Sequence, residues 1–406
     1  MSNTTDVIIV GGGIVGAASA YYLAKRSLRV TLLEARDLAY GATGRNLGYV
    51  WLHNRRPGPE LDLALTTRNV LTQLPEELDY DFELRCNGGM IFFNTEDQAR
   101  VLNEFADARN QQGVEMHILD RQQAREMAPV LPDTVLGATY SPLDAQVNPS
   151  AYVRAFASAA KRLGADIRVG TPVKKLIIEN GRVSGVEIPE GRLTAGTVVL
   201  ATGAWTPEFA QSFGLEVPIH AMRLQIVQTA PMPPLLDKLL YGPVAVKQYK
   251  IFQDLPSFED KYFEADYEWE YEMLLLQGTC QTRAGNFLLG CSMDYPGFLW
   301  EPDLRGVAMI TRAMLRDFPA LREARLERAW AGILPFTLDN LPIVDFVPGY
   351  EGLLVAAGHV FGNAGGPSTG MLVSELISGA PATSFPAAPF RFDRPSLLGE
   401  AEESMW

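Results

Sequence analysis

Hydrophobic and polar positions over the first 34 residues predict two buried strands joined by a helix. The run "DVIIV", residues 6–10, is short and apolar, as in a strand buried within a parallel sheet, and "RVTLLE", residues 29–34, repeats this pattern. A helical pattern covers residues 14–26 between them. Two such strands connected by a helix form a βαβ unit, so we expect the chain to open with an α/β domain.

Helical patterns recur twice before residue 165. One covers residues 96–112, and the other follows Asn148-Pro149 and ends at Gly164, which is placed as a C-terminal stop. The segment "ADIRVG" then predicts a strand.

Strand patterns dominate the middle of the chain. Residues 172–201 contain three short strands separated by Asn-Gly and Glu-Gly turns, which predict a meander. Residues 219–330 contain long β-like runs, including a hairpin around "RAGN" with Gly285 in its turn. This block is the natural candidate for a substrate domain.

One segment within this block, "YFEADYEWEYEM", alternates aromatic and acidic residues. If it is a strand, Tyr267, Trp269 and Tyr271 share one face and the glutamates share the other. Such a strand fits a sheet with one packed and one solvated face, and it also fits a cavity wall or a surface for a partner.

Composition limits the possible functions. The 406 residues favour two domains, and 47% hydrophobic with 20% charged residues is typical of a globular protein. The net charge of −13 disfavours nucleic acid and anionic lipid as partners. The widely spaced Cys86, Cys280 and Cys291 predict buried reduced thiols, with no metal site. We see no signal peptide or transmembrane segment and expect a cytoplasmic location.

The first βαβ unit carries the pattern Gly11-x-Gly13-x-x-Gly16 between strand and helix, with Glu34 at the end of the second strand. In a dinucleotide-binding unit Gly11 makes the tight turn, Gly13 lets the backbone approach a pyrophosphate, and Gly16 allows close helix packing. Glu34 is placed to accept hydrogen bonds from a ribose. This pattern does not separate NAD from FAD.

Three further stretches add to this pattern. "YGATGRNLGYV", residues 40–50, can carry a dinucleotide onward, and "VVLATGAWTPEF", residues 198–209, predicts a buried strand that turns into a helix. "GHVFGNAGGPSTG", residues 358–370, has five glycines in thirteen positions, so we expect its backbone to approach a ligand closely.

In order along the chain, the glycine pattern, "GATGRN", "VVLATGAW", "ILPFTLDNLPIV", "GHVFGN", "GPSTG" and "PFRFDR" resemble the D-amino-acid oxidase, glycine oxidase and sarcosine oxidase family of FAD enzymes. The resemblance implies an α/β (α+β) fold with a Rossmann-like FAD-binding domain and a discontinuous, mainly antiparallel β-sheet substrate domain. The FAD-binding domain would comprise residues 1–85, 150–217 and 335–406, and the substrate domain residues 86–149 and 218–334.

The resemblance also implies noncovalent FAD, because no cysteine or histidine stands where relatives attach the flavin. The helix after residues 358–370 would direct its N-terminus at the flavin ring and stabilise the reduced, anionic form. The implied cofactor-binding residues are Gly11, Gly13, Ile14, Val15, Gly16, Glu34, Ala35, Arg36, Thr43, Gly44, Arg45, Asn46, Val173, Thr202, Gly203, Trp205, Gly358, Gly362, Asn363, Ala364, Gly365 and Thr369.

The implied chemistry is oxidation of the C–N bond of an amine or amino acid: hydride passes to flavin N5 and the imine product is hydrolysed. Many amino-acid-oxidising members place an arginine for the substrate carboxylate where this chain has Leu334. Either another cation replaces that arginine or the substrate lacks a carboxylate there. The candidates for the substrate site are His53, Arg223, Tyr249 and His359, with Arg55, Arg56 and Lys247 as further cations.

Two observations concern the electron acceptor and partners. Sarcosine oxidases place a lysine over the flavin, and our alignment puts Leu288 there, which favours a dehydrogenase over an oxidase. Oxygen, a quinone or a partner subunit could accept the electrons. The alternatives are the flavin subunit of a heteromeric opine or proline dehydrogenase, and a non-catalytic FAD-binding scaffold; an oligomer is possible in each case. A flavin monooxygenase or NAD enzyme is disfavoured by the C-terminal motifs.

Overall fold

The computed structural model describes residues 4–265, 271–381 and 385–398. The strands within these residues are β1 Thr4–Val10, β2 Val30–Leu33, β3 Tyr49–Val50, β4 Gly89–Phe93, β5 His117–Asp120, β6 Gly137–Ser141, β7 Ala145–Gln146, β8 Asp166–Arg168, β9 Lys175–Glu179, β10 Arg182–Ile188, β11 Gly191–Leu200, β12 His220–Thr229, β13 Leu239–Tyr241, β14 Leu274–Gln281, β15 Phe287–Asp294, β16 Leu326–Phe336, β17 Ile343–Phe346 and β18 Leu353–Ala357. The helices are α1 Ile14–Lys25, α2 Pro59–Leu71, α3 Leu74–Glu77, α4 Glu96–Gln111, α5 Arg121–Met127, α6 Pro149–Arg162, α7 Thr206–Gln211, α8 Lys250–Gln253, α9 Leu304–Asp317 and α10 Gly362–Ser378.

The first sheet is built around the opening βαβ unit. Its strand order is β17-β18-β11-β1-β2-β8, and the five strands from β18 to β8 are parallel to one another. Strands β9 and β10 extend from β11 as an antiparallel meander. Parallel strands end at the same edge, so the turns after β1, β11 and β18 come together there.

The second sheet has the order β16-β12-β15-β14-β13-β4-β6-β5. Its neighbours are antiparallel, except that β13 and β4 pair in parallel. The predicted hairpin is β14–β15, with Gly285 at φ +93° in its turn. The predicted α/β fold, a Rossmann-like domain beside a mainly antiparallel sheet, is confirmed.

Side-chain caps fix the starts of two predicted helices. Thr95 accepts a hydrogen bond from the Gln98 backbone at α4, and Asn148 accepts one from the Ala151 backbone at α6. Pro149 occupies the first position of α6, where its missing N–H removes nothing from the helix.

Strands from the predicted domain segments segregate between the two large sheets, except that β3 and β7 pair with each other across the predicted boundary. Strands β1, β2, β8–β11, β17 and β18 belong to the first sheet, and β4–β6 and β12–β16 belong to the second. Strand β16 runs to Phe336, two residues beyond the predicted boundary at 334. The division into an FAD-binding and a substrate domain remains our proposal, which this segregation supports.

Two predictions on single segments have different outcomes. Cys280 and Cys291 are buried, but the expectation of a buried thiol is wrong for Cys86, which is exposed in the loop before β4. Residues 266–270 of the aromatic and acidic segment lie outside the described residues, and β14 begins only at Leu274.

No helix in the described part of the chain combines the length and the apolar character needed to cross a membrane. The cytoplasmic location stays a prediction.

Candidate functional site

A cavity of about 450 Å³ lies where the turn after β1 meets the turn after β18. The two loops lie close together: a Cβ atom added at Gly362 would lie 3.5 Å from Cγ2 of Ile14. Both glycine-rich stretches therefore border one space, as a single dinucleotide would require.

The turn after β1 is shaped by glycine and by a carboxylate. Gly11 has φ +114°, and a Cβ there would lie 2.3 Å from the carbonyl oxygen of Ala201. The two Glu34 oxygens accept hydrogen bonds from the backbone N–H groups of Gly12 and Arg36, each at 2.7 Å. Helix α1 starts immediately afterwards and turns its partial positive end toward the cavity, which suits a pyrophosphate.

Most of the predicted cofactor residues line this cavity. They come from the turns after β1, β2, β8, β11 and β18, because those turns share one edge of the parallel sheet. The lining members are Gly11, Gly13, Ile14, Val15, Glu34, Ala35, Arg36, Thr43, Asn46, Val173, Thr202, Gly203, Trp205, Gly358, Gly362 and Asn363.

Three predicted residues from the first two glycine-rich stretches have packing positions outside the lining. A Cβ at Gly16 would lie 2.0 Å from the Gly11 carbonyl oxygen, and one at Gly44 would lie 2.2 Å from the Ala39 carbonyl oxygen. Arg45 donates from Nε to the Tyr40 carbonyl and from a terminal nitrogen to the Ala331 carbonyl. These three residues do not line the cavity, but they pack against the backbone next to it and hold that backbone in place.

The glycine-rich stretch at residues 358–370 is mostly helix, because α10 begins at Gly362. Three predicted cofactor residues, Ala364, Gly365 and Thr369, therefore lie beyond the cavity lining. A Cβ at Gly365 would meet Leu63 at 2.8 Å, and Thr369 is buried.

Two other glycines of this helix have a role that we did not expect. A Cβ at Gly366 would lie 2.8 Å from Ile14, and one at Gly370 would lie 2.7 Å from the backbone of Ala18. The density of glycine here thus serves close packing of α10 on α1 in addition to the cavity.

The cavity also has an aromatic wall, most of which the sequence did not predict. Trp51 and Tyr241 are 4.5 Å apart between ring centroids, and Tyr49 lies 5.7 Å from Trp51. Tyr249 donates a hydrogen bond to the Tyr241 hydroxyl at 3.3 Å. Burial raises the pKa of Tyr49, Tyr241 and Tyr249, so all three phenols are neutral at ordinary pH.

Two of the four predicted substrate-site residues line the cavity, Tyr249 and His359. His359 lies in the turn before α10, with Nε2 2.7 Å from Oγ1 of Thr369. Burial lowers the pKa of His359 to about 3, so the imidazole is neutral.

The structure corrects the prediction for His53, which is fully buried outside the cavity lining. Its Nδ1 lies 3.0 Å from Asp144 and its Nε2 2.8 Å from Thr139. Its ring stacks on Trp51 at 4.9 Å, so it packs behind the aromatic wall. Burial lowers the pKa of His53, and the nearby Asp144 opposes this effect.

Arg223 is also outside the cavity lining, and the prediction that it contacts substrate is corrected. The guanidinium donates two hydrogen bonds to Asp294 and one to the Glu301 carbonyl. The next residue on β12, Leu224, lines the cavity instead. Successive side chains of a strand point to opposite faces, and the sequence alone did not show which face borders the cavity.

The two positions at which the sequence departs from the family pattern, Leu334 and Leu288, lie in different parts of the structure. Leu334 lines the cavity, whereas Leu288 is buried in the core and the lining residue of its strand is Cys291. Burial raises the pKa of the Cys291 thiol to about 12.

The residues present fit FAD. The glycine turn after β1 offers the backbone approach that a pyrophosphate needs, and the start of α10 borders the other part of the same cavity. The buried Oδ1 of Asn363 has no hydrogen-bond partner within the described protein, while Nδ2 donates to Asn46 and to the Tyr49 carbonyl. The two hydrogen bonds from Nδ2 fix the orientation of the amide, so Oδ1 is available to accept a hydrogen bond from a polar group of the cofactor.

Comparison with known proteins gives consistent matches over nearly the whole chain. A family model described as "FAD dependent oxidoreductase" matches residues 6–376. Glycine oxidase of Bacillus subtilis (strain 168) is 26% identical over 408 residues, covering 97% of this chain and 98% of the relative. Sarcosine oxidase subunit beta of Arthrobacter sp is 28% identical over 412 residues, covering 97% and 93%. The crystal structure of glycine oxidase from Geobacillus kaustophilus matches with a TM-score of 0.82 and 27% identity, covering 97% and 99%.

Proposed function

Because this chain belongs to the family of FAD-dependent oxidoreductases and has FAD as its cofactor, we propose that it oxidises the C–N bond of an amine or amino acid. When bound, FAD accepts at N5 the hydride that leaves the carbon next to nitrogen. The nitrogen lone pair forms the C=N bond of the imine, and water then hydrolyses the imine to a carbonyl compound and an amine or ammonia. The observation that carries the proposal is one cavity that joins a dinucleotide turn to an aromatic wall.

The chain's own residues supply orientation and exclusion of water. The rings of Trp51 and Tyr241 are almost fully buried, so they present a preformed wall to the substrate. The partial positive start of α10 favours negative charge on the adjacent part of the cofactor. The neutral His359 adds no positive charge of its own there.

We propose a dehydrogenase rather than an oxidase. Among the described residues, no lysine lines the cavity. The argument from Leu288 is weaker, because that side chain lies in the core.

A heteromeric flavin subunit is the second candidate, and the match to sarcosine oxidase subunit beta favours it. In that case a partner subunit would receive the electrons. A non-catalytic scaffold is the third, and substrate reduction of the flavin would exclude it.

Noncovalent attachment is also a proposal. Cysteine and histidine are the residue types through which flavin can be attached covalently, and Cys291 and His359 line the cavity. With the pKa of the Cys291 thiol raised to about 12, little thiolate is present at neutral pH. Denaturation of the purified protein should therefore release all of its flavin into the supernatant.

The test is anaerobic mixing of the purified, yellow protein with a panel of amines and amino acids, while the absorbance of the oxidised flavin is followed. We expect at least one compound to bleach the flavin. The variant Gly11→Ala should purify without flavin, because its Cβ would collide with Ala201. A yellow protein that no compound in the panel bleaches would contradict the proposed oxidation and favour a non-catalytic FAD-binding scaffold.

The electron acceptor is tested with the reduced enzyme. We expect reoxidation by a soluble quinone to be faster than by dissolved oxygen. Hydrogen peroxide formed in step with substrate turnover in air would overturn the dehydrogenase proposal.

A further inference from the structure

The substrate end of the cavity is neutral. Its wall beyond the dinucleotide turn includes Tyr49, Trp51, Tyr241, Leu276 and Leu334. In the ranges 4–265, 271–381 and 385–398, the one Lys or Arg that lines the cavity is Arg36, next to the nucleotide turn. The sequence has no Lys, Arg or His outside these ranges.

Arg55, a buried cation beside the cavity, is paired through its terminal nitrogens, while its Nε has no hydrogen-bond partner among the described residues. Arg55 donates to Glu60 at 3.0 Å and to Asn54 at 2.9 Å. Its guanidinium lies against the Phe361 ring, in a separate cavity of about 20 Å³ that Phe361 also lines. The guanidinium also lies 5.9 Å from the centroid of the Tyr249 ring; Tyr249 and Phe361 line the main cavity, whereas Arg55 does not.

The other predicted cations do not line the cavity either. Arg56 donates to Glu60 and to the Asp339 carbonyl, and Arg223 is paired with Asp294. Lys247 is half-buried and is not among the described residues that line the cavity.

A carboxylate placed against this wall would lose its hydration without gaining a cation. Such burial is strongly unfavourable for an ionised group. The faces of the aromatic rings carry partial negative charge, which repels a carboxylate and attracts an alkyl or ammonium group. The net charge of −13 favours the approach of a cationic amine in the same sense.

We propose that the substrate is a primary or secondary amine with an apolar or aromatic substituent and no carboxylate. This inference rests on the proposed C–N oxidation and names its substrate class. Leu334 is the position that sets it, since it contributes an apolar side chain to the wall.

The test compares 2-phenylethylamine with D- and L-phenylalanine, which differ from the amine by one carboxylate. Flavin reduction is measured anaerobically in the holoenzyme, as the rate constant divided by the apparent Kd. We expect the ratio to favour the amine by about 100-fold or more, since a buried unpaired carboxylate is costly.

The variant Leu334→Arg should reverse this preference by placing a guanidinium in the wall. Leu334→Met, of similar volume and equally apolar, is the matched control and should keep the preference for the amine. A binding readout without turnover is the perturbation of the flavin spectrum by benzoate. We expect little perturbation in the wild type and in Leu334→Met, and a clear one in Leu334→Arg.

Wild-type enzyme reduced faster by phenylalanine than by the amine would overturn the inference while leaving C–N oxidation intact. Strong perturbation of the wild-type flavin by benzoate, lost in Arg55→Gln, would also overturn it and assign the carboxylate to Arg55. A yellow protein that dithionite reduces but no amine or amino acid does would overturn the proposed function together with the inference.

Discussion

Burial keeps several titratable side chains of the cavity lining uncharged. It lowers the pKa of His359 to about 3 and raises the pKa of Cys291 to about 12. It also raises the pKa of Tyr241, with the neighbouring Tyr249 adding to the effect. The substrate wall is therefore neutral at any pH at which the protein would work.

Neutral burial of His359 predicts a loss of stability in acid. The unfolded histidine has a pKa of about 6.5 and takes up a proton as the pH falls, while the folded side chain stays neutral down to about 3. The unfolded state gains protons, so stability is lost as the pH falls below about 6.5. We expect His359→Gln to remove about 2 kcal/mol of this loss between about pH 7 and pH 5.

Urea unfolding of both proteins at the two pH values measures this difference. His117 is exposed and provides the control. The variant His117→Gln should leave the wild-type pH dependence in place. Identical pH dependence of the wild type and His359→Gln would contradict the neutral, buried assignment.

At the scale of elements, the contact between α1 and α10 holds the two loops together. Gly366 and Gly370 are four residues apart, so they lie on one face of α10, and that face meets Ile14 and Ala18 of α1. The starts of both helices border the cavity, so the spacing of these helices sets the spacing of the two loops.

Gly370→Ala should therefore destabilise the protein and weaken FAD binding. Its Cβ would lie 2.7 to 2.8 Å from Ala18 and Ser19 atoms, including backbone, and the overpacking outweighs the better helix propensity of alanine. We expect a loss of about 1 to 3 kcal/mol in the free energy of unfolding, measured with urea. Gly196→Ala, whose Cβ would approach Asp6 only to 3.4 Å, should change stability by less than about 0.5 kcal/mol. Equal effects of the two substitutions would rule out the packing argument.

At the scale of the whole molecule, the cavity joins the two sheets. Glu34 follows a strand of the first sheet, whereas Tyr241, Leu276 and Leu334 lie on strands of the second. A ligand that fills the cavity contacts both sheets and stabilises their association.

Removing FAD should therefore lower the melting temperature of the whole chain. Free FAD at 100 times its Kd adds about 2.7 kcal/mol, which for a chain of this length is about 3 °C. Differential scanning fluorimetry of apoprotein with increasing FAD measures the shift, and free adenosine, which cannot span the cavity, is the control. An unchanged melting temperature on FAD addition would contradict a cofactor that contacts both sheets.

The chain's local patterns determined the opening of the fold and the nucleotide end of the cavity. The turn at Gly11, the helix after it and Glu34 at the end of β2 all follow from short-range constraints on backbone conformation, which neighbouring residues impose. The caps at Thr95 and Asn148 are local in the same way.

Tertiary structure alone decided which side chains form the substrate wall. Tyr49, Tyr241, Leu276 and Leu334 are far apart in the chain and meet because strands of different segments pair into one region. Neighbouring residues of a strand point to opposite faces, so a one-residue change of register would exchange the residues on the two faces. Arg223 and Leu224 are such neighbours, and Leu224 lines the cavity whereas Arg223 does not. Convergence at long range depends on the packing of the entire sheet, so no local pattern encodes it.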